Sequence, residues 1–225
     1  MYDGKTDEVK WEMAVSDQTK PIDHRFEALT AILLGMVIVA TAWSAYQSTL
    51  WGGIQTFLLR DSTSAGRQYS MLVVQQGQYV SMDALMFMQY VNALHYNNTD
   101  LSAFYYERFR PELKTVTEAW LETKPFENPD APPHPFVMPE YERKYAKEIK
   151  QFSDLNESKL EEAQQANKNS DNYVMLTVIY ASVLFIGAVM DKFSSRKLRM
   201  IVLIMGFVIF SATTAMLLTM PITLE

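Results

Sequence analysis

Apolar positions along the chain gather into three nearly unbroken runs, near residues 28–47, 173–190 and 200–220. Each approaches the roughly 20 residues needed to cross a hydrocarbon core ~30 Å thick. The pattern predicts transmembrane helices over 26–48, 172–190 and 200–220. Residues 49–171 are polar by comparison and read as a water-exposed domain inserted between the first two spans. A polar tail (1–25), a short loop (191–199) and a few final residues (221–225) complete the division.

The first run, Phe26 to Ser48, gives about 35 Å of helix at 1.5 Å per residue, enough to span with some tilt. No charge falls between Glu27 and Arg60. Trp43, Tyr46 and Trp51 follow where a cleaved signal would place small residues, so the run reads as an uncleaved anchor. Their rings suit the headgroup level, where one edge is apolar and the other wet.

Beyond the first span, Ile54, Phe57, Leu58, Ala65, Leu72, Val80, Leu85, Phe87, Met88, Val91 and Leu94 recur at helical intervals. The span is expected to continue outward as a helix, with Gly52-Gly53 as the favoured bend. Asn97 to Asp100 reads as a turn with Asp100 as the N-cap of a short helix, LSAFYYERF. Pro111 opens another helix, since proline suits the first helical position. Six of the nine prolines fall in 124–139, which predicts an extended surface strap with Phe126, Pro132, Pro133 and Phe136 as docking residues. From Glu140 a charged stretch carries Tyr141, Tyr145, Ile149 and Phe152 at four- and three-residue steps, one stripe of a helix expected to run unbroken into the second span.

Charge sets the orientation. Lys192, Arg196, Lys197 and Arg199 crowd the short loop between spans two and three, and short basic loops remain cytoplasmic beside anionic lipid. The amino terminus is then inside and the 49–171 domain outside. The domain carries 12 Lys and Arg of its own, but long domains translocate largely regardless of charge. The predicted fold class is all-α: three transmembrane helices with an extracytoplasmic antiparallel helical bundle between spans 1 and 2.

Composition then narrows the chemistry. The 225 residues contain no cysteine, which removes disulfides, thiolate metal sites and cysteine nucleophiles together. His24, His95 and His134 are isolated in sequence, and none forms a helical pair such as H-E-x-x-H. His95, His134 and Asp100 would form a metal site only if the fold joined distant segments. Glu161-Glu162 sits in a highly charged helix and reads as a solvated face. Phosphate loops, nucleophile elbows and dinucleotide fingerprints are absent from the sequence. No cofactor, metal or catalytic residue is assigned, and the net charge of −6 disfavours nucleic acid as a partner.

The spans lack the internal acid or base that marks proton-coupled transport, Glu27 at the inner edge apart. They do carry hydroxyls. Thr30, Thr41, Ser44 and Ser48 share one helical face, read as a helix-packing face or, in a ring of subunits, a pore lining.

WSAYQSTLWGGIQ at the first membrane exit, FRPELKTVTEAWLETKPFENPDAPPHPFVMPEY in the domain and NKNSDNYVMLTVIYASVLFIGAVM entering the second span carry a resemblance. Together they resemble an uncharacterised family of three-span prokaryotic membrane proteins, over most of residues 40–200. The resemblance implies architecture and a prokaryotic inner membrane, and it brings no activity. The expected function is a non-catalytic assembly protein, either a homo-oligomer or an accessory subunit of a larger membrane complex. Its partners would be lipid and itself or other membrane subunits. A homo-oligomeric channel is the alternative. Trp11, Met13 and Val15 in the tail are candidate anchors against a neighbour or the inner leaflet.

Overall fold

The computed structural model describes residues 24–190 and 192–224, and every regular element among them is helical. In order these are α1 (His24–His95), α2 (Thr99–Glu107), α3 (Pro111–Glu122), a 3-10 turn (Pro135–Val137), α4 (Ala146–Met190) and α5 (Arg196–Thr219). Trp11, Met13 and Val15, with the rest of the tail, lie outside the described residues, as does residue 191.

Three helices, α1, α4 and α5, are long and apolar enough to cross a membrane by length and composition. α1 holds 72 residues and passes Gly52 and Gly53 without interruption. The expected bend therefore does not break the helix. Each interior glycine costs about 1 kcal/mol of helix propensity, and the uninterrupted backbone ladder on either side outweighs it.

The chain divides into two compact units, one formed by residues up to Gln55 with those from Gln164, the other by Thr56–Ala163. In the first unit Leu33 and Val37 of α1 pack with Tyr173, Leu176, Tyr180 and Val183 of α4, and Leu203, Ile209, Phe210 and Leu217 of α5 close the cluster. Leucine side chains of α1 pack directly against glycines of α4 and α5. A Cβ on Gly187 would lie 2.5 Å from Leu34 Cδ2, and one on Gly206 would lie 3.6 Å from Leu33. The opposite helix faces expose large apolar groups, Val39 and Phe185 at 70% each. Groups of that kind turned outward suit hydrocarbon as solvent, since in water so much exposed apolar area would be costly.

The predicted loop ahead of α5 is shorter than expected, because α5 already begins at Arg196. Arg196, Lys197 and Arg199 occupy its first turn, where the helix dipole disfavours cations. Arg199 Nε donates to the Phe193 carbonyl at 2.7 Å, which ties the connector to the helix.

In the second unit an aromatic core assembles from Phe87, Tyr90, Phe109, Leu113, Val116, Trp120 and Tyr141. Phe87 meets Trp120 edge-on at 5.1 Å, and Tyr90 meets Phe109 at 5.3 Å. α1 ends when Asn97 adopts a left-handed backbone (φ 54°), and the Asn98 N–H reaches back to the Ala93 carbonyl at 2.9 Å. Asn98, rather than Asp100, caps α2: its side chain accepts from the Leu101 N–H at 3.1 Å, so the helix starts two residues before the predicted Leu101.

The charged stretch also differs from expectation. α4 begins at Ala146, so Tyr141 and Tyr145 precede it and only Ile149 and Phe152 belong to the helical stripe. Tyr141 is instead a buried core residue, because its hydroxyl finds a carboxylate inside the unit.

Candidate functional site

The predicted hydroxyl face lies on the inner side of the first unit. Thr30, Thr41 and Ser44 each donate to the carbonyl four residues earlier, at 2.9, 2.7 and 2.8 Å. Ser44 is fully buried. Ser48 and Ser170 Oγ atoms lie 3.1 Å apart, and Ser170 also donates to the Ser48 carbonyl at 3.0 Å. A Cβ on Gly52 would meet Ser170 Oγ at 3.8 Å. Small hydroxyl residues thus let α1 and α4 approach while their own polar atoms stay satisfied.

One turn away sits a group that the sequence reading passed over. Gln47, also fully buried, donates from Nε2 to the Thr223 carbonyl at 2.8 Å and accepts the Thr223 N–H on Oε1 at 3.1 Å. Trp51 Nε1 and the Tyr173 hydroxyl both donate to the Pro221 carbonyl, at 3.1 and 3.0 Å. The segment after α5 is therefore fastened to α1 through Gln47 and Trp51 and to α4 through Tyr173. The available signal was positional: Gln47 falls three residues after Ser44 and four before Trp51, on the face of Leu33, Val37 and Ala40. Of the predicted interface residues, Tyr46 is exposed and its ring lies 5.9 Å from that of Trp43, whereas Trp51 turns toward the core.

In the second unit the polar centre is Asp83, which is 3% exposed. Arg110 grips its carboxylate with two bonds, Nε to Oδ1 at 3.0 Å and Nη2 to Oδ2, and Tyr141 donates to Oδ2 at 2.9 Å. Local backbone explains the reach. Arg110 precedes Pro111, which holds it extended, and its side chain makes no capping bond. Burial, followed by the hydrogen bond to Asp83, pushes the Tyr141 phenol well above its ordinary range. The bond to Asp83 raises Arg110 further. Lys144 donates to the Tyr79 hydroxyl at 3.2 Å and lowers that phenol. The Glu118 carboxylate, accepting from Tyr106, raises that phenol to about 12.

The strap packs on the core at one end only. Phe136 sits 5.6 Å from Phe87 and 5.1 Å from Tyr141, both edge-on, and Pro132 accepts from Trp120 Nε1 at 2.7 Å. Pro135, in the 3-10 turn, is buried, so the strap is partly helical and partly core rather than wholly an extended surface segment. Phe126 is 62% exposed and only grazes Trp120 at 5.8 Å, and Pro133 is exposed.

Among the described residues no three His, Asp or Glu side chains converge as a metal site, so His95, His134 and Asp100 do not form one. A trough beside Phe136, Met138, Tyr141, Lys144 and Lys147 opens to solvent, and its best-placed polar groups already serve Asp83 and Tyr79.

What remains is a surface. From Gln68 to His95, α1 carries one formal charge, Asp83, and that one is buried against Arg110. The face opposite the core presents Ser70, Val74, Gly77, Ser81, Leu85 and Met88, all exposed. Val74 and Leu85 are each 61% exposed. α2, α3 and the α4 portion of this unit all carry charges on their outer sides.

A scan against family models and searches of curated proteins and of solved structures each returned no match.

Proposed function

We propose that this chain is a non-catalytic integral membrane assembly protein whose inserted helical unit supplies the contact surface. The carrying observation is the contrast within that unit between polar groups spent internally and one stretch of α1, Gln68 to His95, whose exposed face carries no formal charge. Depletion of charged residues is one mark of the core of a protein contact. Asp83, Arg110 and Tyr141 satisfy one another, so a substrate would find few free groups there.

The proposed orientation, α4–α5 connector in the cytoplasm and inserted unit outside, is supported by the cations Lys192, Arg196, Lys197 and Arg199, since short basic connectors stay cytoplasmic. A prokaryotic inner membrane is the proposed location, on the strength of the motif resemblance. The channel alternative loses support at residue level, because Ser44 of its proposed pore lining is buried inside a single chain.

Chemical cross-linking in native membranes tests the reading. Adducts larger than the single chain, with no current when the purified protein is placed in planar bilayers, are expected. A chain that stays uncross-linked, or one that conducts, contradicts it.

A further inference from the structure

α5 is held differently at its two ends. Of its 24 residues only Gly206 and Thr213 are buried, and both are small. Val37, Tyr173, Leu176, Tyr180 and Val183 are all but fully enclosed, and they belong to α1 and α4. α5 therefore lies against a pair that is already packed. In its half nearer the connector the fit is incomplete, leaving an apolar gap bordered by Leu33, Leu34, Val183, Gly187, Leu203 and Gly206. Its room, about 10 Å³, is at the lower limit for a single water, and its apolar lining keeps it dry. Atoms facing such a void lose attractive contacts on that side.

The far end is fastened by hydrogen bonds instead. α5 stops at Thr219 because Met220 turns extended (ψ 147°) ahead of Pro221, which cannot continue the helical ladder. In an extended segment alternate residues face one way. Pro221 and Thr223 meet Gln47, Trp51 and Tyr173 through main-chain groups, while Ile222 and Leu224 are exposed.

We infer that the segment after α5 is a latch. With Pro221 and Thr223 held, α5 lies against α1 and α4; with them released, α5 swings about its connector end while α1 and α4 stay paired. Two features separate a latch from one more piece of core. The bonds converge on two residues of one short segment, so they are lost as a set when it lifts. The body of α5 encloses no large side chain of its own and leaves the gap, so its local opening costs less than parting α1 from α4. The closed state is favoured, since lifting strands the fully buried Gln47 amide in an apolar run. The device thus links the groups around Gln47 to the packing around Gly187 and Gly206 through one rigid helix.

The test uses the full chain in lipid nanodiscs, where the cysteine-free sequence makes every introduced spin-label pair unique. All labelled positions are exposed: Val178→Cys with Leu218→Cys reports the latched end of α5, Phe185→Cys with Ile201→Cys its connector end, and Val39→Cys with Phe185→Cys the α1–α4 pair. Gln47→Leu should shift or broaden the first distance by about 5 Å or more, the scale of a one-turn helix displacement, and leave the other two unchanged. Tyr173→Phe, which keeps Trp51 on the Pro221 carbonyl, should show a smaller share of the same displaced population and reports even if Gln47→Leu fails to fold. An unmoved latched end in both variants would overturn the latch, because α5 would then be held by its own packing. Equal movement of the α1–α4 pair would also overturn it, because the clamp would then belong to the core of the whole unit. Equal movement at the connector end would overturn the swing.

Discussion

Gln47 and Thr223 exchange two hydrogen bonds, side-chain amide against backbone amide, at 2.8 and 3.1 Å. A fully buried amide within an apolar run is tolerable only when both its ends are satisfied, and here a single residue beyond α5 satisfies both.

Replacing this amide tests the clamp. Gln47→Leu keeps the volume and removes both bonds, and should cost about 1–3 kcal/mol. The melting temperature in detergent should fall, and Trp51 emission should shift as the Pro221 carbonyl moves away. An unchanged melt and an unchanged spectrum would mean that the clamp contributes nothing.

Leu34 and Gly187 interlock in the same unit. Gly187→Val should destabilise by about 1–3 kcal/mol, because the new side chain enters space held by Leu34. Leu34→Ala should restore much of that loss in the double variant. Additive losses in a double-mutant cycle would show that the two sites do not touch.

The Asp83–Arg110 pair is the next test. Arg110→Ala leaves a buried carboxylate with only Tyr141 and should cost about 3–5 kcal/mol. Asp83→Leu with Arg110→Met and Tyr141→Phe, which leaves no buried hydroxyl without an acceptor, should recover most of it. A triple variant as unstable as Arg110→Ala would indicate that the trio fixes the fold rather than relieving its own burial.

Tyr141 adds a dependence on pH. Its phenol keeps the proton more tightly in the folded chain than in the unfolded one, through burial and then the bond to Asp83. The stability this contributes is whole below the ordinary tyrosine value, about pH 10, and is lost as pH rises toward the folded value. Urea midpoints should therefore decline above about pH 10 more steeply in the parent than in Tyr141→Phe. Equal slopes would contradict the assignment.

The strap separates its two phenylalanines. Phe136→Ala should cost about 3–5 kcal/mol because the ring is wedged between Phe87 and Tyr141. Phe126→Ala should lie within about 0.5 kcal/mol of the parent, as surface changes do. Matching losses at both positions would mean that the whole strap packs as one piece.

The three apolar runs were legible because lipid as solvent demands long uncharged helices, and the all-α class followed from the same periodicity. Tyr141 was not legible. Its four-residue spacing to Tyr145 imitates a helical stripe, and only Asp83, distant in sequence, reveals that it belongs to a buried pair. The start of α2 was missed by two residues because Asn98 and Asp100 are both good caps, and the left-handed Asn97 decides between them. The two faces of α1 in the second unit were merged for a similar reason. Leu85 and Phe87 are both apolar, and only packing separates the exposed one from the buried one. Gln47 was hidden because its partner is backbone, which carries no side-chain signature.

In the proposed topology the inserted unit lies outside the membrane and the α4–α5 connector inside. Cysteine placed singly at Ser158 and at Ser194, both exposed, tests this in intact cells with a membrane-impermeant thiol reagent. Labelling at Ser158 without labelling at Ser194 until the cells are broken is the predicted result. Labelling at Ser194 alone, or at both positions in intact cells, would contradict it.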